Sequence, residues 1–222
     1  MIKCAVITAD LINSTSLKKN QLTLLLTTLQ ELLKDMQSGK KDEKRLFALW
    51  RGDSIQGIME EPESSLKLAL EIKAGINRLS DPDKKKKLPS RLAWPDLKIS
   101  IVLGEITKWP ASLASANEDL FRQSGLALDA LKSSSRKMSV ITGKSEADKE
   151  LNVHMILLQE ILNQWSTGAA EVVYHLLKGK SEKEIAAELG ISQSAVNQRK
   201  RASGWESIQA LLNRFREITL NS

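Results

Sequence analysis

Two aspartates stand where apolar segments of the chain end. Asp10 follows the apolar run 3–9, and Asp53 lies in the short connection between the runs 45–50 and 54–59. If these runs are neighbouring strands of one sheet, the two carboxylates converge at its edge. Carboxylate oxygens are the ligands that Mg²⁺ prefers, and such a pair supports phosphoryl or nucleotidyl transfer. The alternative is that each aspartate only shapes a turn.

A second group of polar residues lies in the segment 181–204. Ser181 and Glu184 form the S-x-x-E pattern of a helix start, Gly190 suits a tight helix end, and Ser192 can cap a following helix. This spacing predicts a helix-turn-helix. Its second helix presents side chains that can bind base edges and phosphates of DNA: Gln193, Ser194, Asn197, Gln198, Lys200 and Arg201. The alternative is a helical hairpin that makes protein contacts.

The periodicity of the chain predicts the elements that position both groups. Apolar runs and amphipathic stretches alternate as β-α-β-β-α-β-α-β over residues 1–145. This order predicts an α+β, ferredoxin-like (split βαβ) domain with helices on one face of its sheet. The charged segment 144–150 predicts a linker. Residues 151–222 then predict a second, all-α domain that contains the helix-turn-helix.

Composition restricts the class of protein. The chain has 222 residues and a net charge of +6, with net +5 in residues 1–150 and net +1 in residues 151–222. A small positive excess permits binding of nucleic acid or nucleotides but does not establish it. Cys4 is the single cysteine, which excludes an intramolecular disulfide. No apolar stretch reaches the length of a membrane span, and no signal peptide is evident. We therefore expect a cytoplasmic protein that does not enter the membrane.

The N-terminal segment resembles class III nucleotide cyclase domains. The similarity rests on D-L-I-N-S-T at 10–15, on the hairpin Gly52-Asp53, and on the strand at 99–106 that contains a glycine. A later helix around 124–129 is similar too. The resemblance implies a nucleotide-cyclase-like domain that binds Mg²⁺ with a nucleotide through Asp10 and Asp53.

The same resemblance argues against full cyclase activity. The positions that would read the purine carry Leu49 and Arg122, the ribose position carries Asp129, and the phosphate-clamping position carries Ser133. Without these groups, the electrostatic stabilisation that dominates such catalysis is lost. We therefore expect a degenerate domain that senses a nucleotide rather than an enzyme, with three candidate phosphate contacts: Arg51, Arg122 and Lys132.

The order of the two segments resembles a more specific family. The strings V-I-T-x-D-x-I-N-S and R-G-D-S-x-Q, followed by a helix-turn-helix, resemble the SatD family of bacterial proteins. The helix-turn-helix itself resembles sigma-factor region 4 and response-regulator output domains. The family resemblance implies this architecture more than an activity. From the order of the two segments we expect a DNA-binding transcriptional regulator that acts as a homodimer. Two alternatives stay open, an active metal-dependent nucleotidyl- or phosphoryl-transfer enzyme and a protein-interaction module.

Overall fold

A computed structural model describes residues 1–37, 44–50, 52–80, 95–116 and 119–221 of the chain. In these ranges the strands are β1 (Ile2–Leu11), β2 (Arg45–Trp50), β3 (Ser54–Met59), β4 (Leu97–Ile106) and β5 (Met138–Ile141). The helices are α1 (Lys19–Gln37), α2 (Ser65–Asn77), α3 (Asp119–Lys132), α4 (Ser145–Asn163), α5 (Thr167–Leu177), α6 (Glu182–Leu189), α7 (Gln193–Ala202) and α8 (Trp205–Leu220).

The five strands form one mixed sheet in the order β2-β3-β1-β4-β5. β3 pairs antiparallel with both β1 and β2, so it lies between two strands that run in the same direction. This is the predicted split βαβ arrangement, and β1 and β4 are interior strands as expected. β4 pairs antiparallel with β1, and β5 adds to it in parallel.

Helices cover both faces of the sheet, so the prediction of one covered face is wrong. Ala5, Ile7 and Ala9 of β1 pack in a cluster with α1 and α2. On the other face, Cys4 and Val6 pack in a cluster with the start of α3. A strand buried on both sides carries a continuous apolar run, which is the pattern of residues 4–7.

The position of α3 also breaks a common rule of handedness. The connections β3–α2–β4 and β4–α3–β5 advance in the same direction across the sheet, yet α2 and α3 lie on opposite faces. The two crossovers therefore have opposite hands, whereas nearly all parallel crossovers are right-handed. As a result, α3 lies over the face that carries the Asp10 side chain.

A glycine on β3 makes room for an aromatic ring on the neighbouring strand β2. Gly57 on β3 faces Phe47 on β2, and a Cβ built on Gly57 would lie 2.1 Å from the Phe47 ring. Any larger residue at position 57 must displace this buried ring.

The helical part begins earlier than predicted. The segment 144–150, predicted as a linker, instead forms the start of α4 from Ser145 onward. Two acidic side chains, Glu146 and Asp148, lie in its first turn, where the helix dipole favours negative charge. Asp148 also accepts a 2.7 Å hydrogen bond from the Thr142 hydroxyl. The high charge of this segment therefore marks a helix start.

One apolar cluster includes residues from both parts of the chain. It joins Leu25 and Ile72, on the helices that cover the sheet, to Leu158, Trp165 and Phe215 of the helical segment. The division into domains 1–145 and 151–222 stays a prediction. No helix within the described ranges is both long enough and apolar enough to cross a membrane.

Candidate functional site

Asp10 lies near the end of β1, on the face of the sheet that α3 covers. Its Cα pairs with Ser54 on β3 and with Lys98 on β4. The hydroxyl of Ser54 donates a 2.7 Å hydrogen bond to Asp10 Oδ1. Asp10 is therefore fixed from the neighbouring strand, which favours one orientation of its carboxylate.

A lysine from α3 holds the second oxygen of this carboxylate. Lys132 Nζ lies 3.1 Å from Asp10 Oδ2 and 3.7 Å from Asp129 Oδ1. The hydrogen bond to Asp10 raises the pKa of Lys132 above its usual value, and the charge of Asp129 adds to this effect. The structure therefore brings together the predicted metal ligand Asp10 and the predicted phosphate contact Lys132.

Two further polar contacts fix α3 over β1. The hydroxyls of Thr8 and Ser124 lie 2.6 Å apart in a buried position. At the other end, Lys98 Nζ donates to the carbonyl oxygens of Leu131 and Ser134, where α3 ends. A cation at a helix C-terminus stabilises the helix dipole. The approach of Lys132 to Asp10 thus depends on a well-anchored helix end.

Asp53 lies at the same edge of the sheet. It is half-buried in the turn before β3 and directly precedes Ser54. Two carboxylates and one hydroxyl at this edge suit the oxygen preference of Mg²⁺. However, a divalent cation that binds Asp10 must displace the Lys132 ammonium, which is exposed and able to swing away. In the part of the chain that the structure describes, no group of three or more His, Cys, Asp or Glu residues is placed to hold a metal.

Arg122, another predicted phosphate contact, is not brought to this edge. Arg122 lies in the first turns of α3, where it pairs with Asp119 at 2.6 Å. It is ten residues from Lys132, or about 15 Å along the helix axis. Arg51 lies outside the described residues. Of the three predicted contacts, Lys132 is the one that the structure places beside Asp10.

The second candidate site is the pair of helices α6 and α7. Ser181 Oγ accepts a hydrogen bond from the Glu184 amide, and the Glu184 carboxylate accepts one from the Ser181 amide, so the predicted capping box is present. Gly190 ends α6 with φ +63°, a left-handed conformation that favours glycine. Ser192 accepts from the Ala195 amide at the start of α7. The two helices pack through a small cluster that contains Ile185 and Val196.

The side chains that α7 presents fall into two groups. Four of the six predicted DNA contacts are exposed to solvent: Gln193, Ser194, Gln198 and Arg201. The other two contact Glu182 on α6. Lys200 Nζ lies 2.8 Å from Glu182 Oε1, and the Asn197 amide lies 3.4 Å from Oε2. The hydrogen bond from Lys200 lowers the pKa of Glu182 below its usual value, so this carboxylate stays charged at neutral pH.

The end of α7 is tied to the rest of the helical part. The indole of Trp165, which is fully buried, donates a 2.9 Å hydrogen bond to the carbonyl of Ser203. Arg199 Nη1 lies 3.6 Å from Glu171 Oε2 on α5. These contacts leave the polar side of α7 turned to solvent and hold the helix in one orientation.

A cavity of about 720 Å³ is lined by residues outside both candidate sites. It lies between α1, α2, α5 and α8, and ion pairs cross it or line its walls, among them Lys67–Glu71, Arg45–Glu61 and Lys178–Asp35. Burial raises the pKa of Glu71, and the charge of Lys67 opposes that effect. The charges of this cavity are thus largely compensated within the chain.

Sequence comparisons show no match, and structural comparisons show partial similarity. No family model and no curated protein matches the chain, so the resemblance to the SatD family stays a prediction. The chain is similar to the active GGEEF domain of a diguanylate cyclase from Vibrio cholerae, with 15% identity and a TM-score of 0.46 over 63% of this chain and 83% of that domain. It is also similar to a bacterial light-regulated adenylyl cyclase, with 10% identity and a TM-score of 0.40 over 63% of this chain and 75% of that one. The α+β fold is therefore assigned from its own strand order and pairing.

Three residues of these sites were missed by sequence reasoning. Ser54 follows Asp53 directly, and its register opposite Asp10 could have been derived from the predicted hairpin. Lys98 lies in a strand that alternates apolar and polar residues, so the sequence pattern does not indicate that its ammonium donates to carbonyl oxygens at the end of α3. Glu182 lies in the first turn of α6, and a sequence pattern does not show that it contacts α7.

Proposed function

We propose that α6 and α7 form a DNA-binding helix-turn-helix and that the protein is a transcriptional regulator. The observation that carries this proposal is the exposed polar start of α7, directly after a tight turn at Gly190. In helix-turn-helix proteins, residues at the start of the second helix contact base edges. Gln193 and Ser194 occupy that start here, and Gln198 and Arg201 lie farther along the exposed side.

The charge around α7 predicts that a single copy of the protein has modest affinity for DNA. Arg199 and Lys200 are engaged by Glu171 and Glu182, which leaves Arg201 as the exposed cation on this helix within the described residues. Since phosphate contacts supply most of the nonspecific affinity, one copy would bind weakly and two copies on one duplex much more tightly.

The test is a titration of fluorescently labelled DNA, followed by anisotropy. Duplexes about 30 base pairs long have room for two half-sites one helical turn apart, and a pool of random sequences requires no known site. We expect binding that weakens steeply with salt, and we expect Arg201→Ala to weaken it at least fivefold and to reduce the salt slope by about one. Arg216→Ala is the matched control, because Arg216 is an exposed arginine on α8, and it should leave affinity within about twofold.

An absence of binding at low salt would overturn this proposal. Equal losses in Arg201→Ala and Arg216→Ala would also contradict it, because general charge rather than the α7 surface would then explain the affinity. Either result would favour the alternative in which the helical pair serves protein contacts.

A second proposed function is binding of a Mg²⁺-nucleotide at the edge that carries Asp10 and Asp53. The observation that favours it is that Asp10, Ser54 and Lys132 lie in contact with one another. Asp10 offers carboxylate oxygens to a metal ion, and Lys132 offers a cation to a phosphate. A bound nucleotide would then act as a signal for the DNA-binding part. We expect a thermal shift with a nucleoside triphosphate and Mg²⁺ that is lost in Asp10→Asn and Asp53→Asn, since ligand at 100-fold its Kd adds about 2.7 kcal/mol.

The same experiment separates sensing from catalysis. Turnover of the nucleotide that disappears in Asp53→Asn would support the alternative of a nucleotidyl- or phosphoryl-transfer enzyme. A shift without turnover supports a sensor. No shift with any nucleotide would exclude both functions for this edge, and it would leave the DNA-binding proposal unaffected.

A further inference from the structure

One side of α4 anchors this helix in the core of the protein. Leu151, Met155, Leu158 and Leu162 are buried, and they follow the spacing of a single helix face. α4 packs there against β5 and α8. The opposite side of the same helix is therefore turned to solvent.

This outer side is unusually apolar. Val153, Ile156 and Leu157 have exposed fractions of 56%, 46% and 59%. They are spaced i, i+3 and i+4, so they form one patch on the helix surface. Single exposed apolar residues are normal in soluble proteins, but a contiguous patch indicates an interaction site.

The patch has an exposed charge of opposite sign at each end. Lys149 lies one turn before Val153, and Glu160 lies about one turn after Ile156 and Leu157. Lys149 and Glu160 are about 16 Å apart along the axis, and their midpoint falls within the apolar patch. Such a surface is complementary to itself when it is turned around, because a two-fold axis at that midpoint places each Lys149 opposite the Glu160 of the other copy.

We propose that α4 pairs antiparallel with α4 of a second copy of this chain, so that the protein forms a symmetric dimer. In this register Val153 faces Ile156 of the partner subunit, and the apolar patches cover each other. Lys149 now pairs with Glu146 at 2.8 Å, but both side chains are largely exposed, so this contact is easily exchanged for one across the interface. The two-fold geometry is the usual one for homodimers.

The size of the surface sets the expected strength. One helix face is smaller than the roughly 800 Å² per partner of a standard interface. We therefore expect a dimer that dissociates at micromolar concentrations. The dimer does not depend on the proposed DNA binding. If both copies of α7 in this dimer bind one duplex, the DNA site should have two-fold symmetry.

The test is sedimentation equilibrium of the full chain across about 1 to 200 μM, the range in which a micromolar dimer dissociates. The wild type is expected to be a reversible dimer, and Leu157→Glu is expected to be a monomer. Leu126→Glu is the matched control, because Leu126 is exposed to a similar extent on α3, and it should leave the dimer intact. Circular dichroism verifies that each variant is folded.

Charge reversal tests the antiparallel register. Lys149→Glu and Glu160→Lys should each weaken the dimer at least tenfold, because each places like charges opposite one another. The double variant Lys149→Glu/Glu160→Lys should restore the wild-type Kd to within about threefold. A wild type that stays monomeric at all concentrations overturns the proposal, as does a dimer that Leu157→Glu leaves intact. Failure of the double variant to recover overturns this register.

Discussion

The ammonium of Lys132 on α3 lies 3.1 Å from Asp10 Oδ2 on β1, at the edge where a metal ion was predicted. The lysine therefore acts as a tethered counter-charge for this carboxylate. Because the hydrogen bond to Asp10 raises the pKa of Lys132 above its usual value, the ion pair is lost only as the pH rises through that raised pKa. Any free cation that binds Asp10 competes with this side chain.

The first prediction concerns this competition. Replacing Lys132 by Met removes the ammonium and leaves Asp10 to be neutralised by a cation from solution. We expect the affinity for Mg²⁺ or Mn²⁺, measured by isothermal titration calorimetry, to rise at least tenfold, or about 1.4 kcal/mol. Adding Asp10→Asn to this variant should abolish the gain.

Lys108→Met is the matched control for that prediction. It removes one exposed lysine with the same change in net charge, from the segment that follows β4. If both variants bind the divalent ion equally well, long-range charge explains the effect and Asp10 does not bind the metal.

The second prediction concerns Glu182, which holds Asn197 and Lys200 on the surface of α6. Glu182→Gln removes a negative charge beside α7 and releases Lys200. If α7 binds DNA, affinity in the anisotropy titration should increase about three- to tenfold. Glu206→Gln, an exposed carboxylate in the first turn of α8, should change it much less. A decrease in Glu182→Gln would mean that this ion pair is needed to orient α7.

The third prediction concerns a buried lysine. Lys73 on α2 is 2% exposed and donates a hydrogen bond to Asp96, which Lys137 contacts at 2.7 Å. Burial lowers the pKa of Lys73 despite the charge of Asp96. Asp96→Asn leaves the buried ammonium without its carboxylate, so we expect urea unfolding to show a loss of about 3–5 kcal/mol. Lys73→Met removes the buried charge itself and should cost clearly less.

The acid side of the stability curve gives a further check on the Asp96 prediction. Burial would raise the pKa of Asp96, but the charge of Lys73 and hydrogen bonds from Lys137 and Lys73 lower it below its usual value. Its stabilisation is therefore complete above about pH 4 and is lost as the pH falls through the lowered pKa. In Asp96→Asn the loss of stability that accompanies protonation of Asp96 at acid pH should disappear.

The fourth prediction concerns His175 on α5. Burial lowers the pKa of His175, against the opposing charge of Glu188 at 3.7 Å. Below about pH 6.5 the unfolded chain takes up a proton that the folded chain does not. The free energy of unfolding therefore falls by up to about 1.4 kcal/mol for each unit by which the pH decreases. His175→Gln should flatten the dependence between about pH 7 and pH 5. An unchanged slope would show that His175 does not titrate differently in the two states.

The order of elements could be predicted because each has a clear period or boundary signal. The split βαβ order followed from alternating apolar runs and helical stripes, and the boundaries of α6 and α7 followed from Ser181, Gly190 and Ser192. These are local signals, and local hydrogen bonding determines them.

The face on which α3 lies could not be predicted, because it depends on a crossover of unusual hand. The same placement brings Lys132 to Asp10, so the ion pair was missed although each residue had been singled out. The charged segment 144–150 was predicted as a linker because it lacks apolar periodicity. Its acidic residues equally suit the first turn of a helix, which is where the structure places them. Long-range contacts decided the position of α3, whereas the start of α4 depends on a local pattern that fits two interpretations.

The apolar cluster that joins the sheet to α4, α5 and α8 has a consequence for genetic experiments. Because the two parts share buried side chains, we expect them to unfold in a single cooperative transition. A substitution deep in the sheet, such as one at Gly57, would then lower the amount of folded protein in the cell. The function of the helical part would be lost although none of its residues is changed. Screens for loss of function should therefore return many core positions, and residues that act directly will be those whose loss leaves protein abundance unchanged.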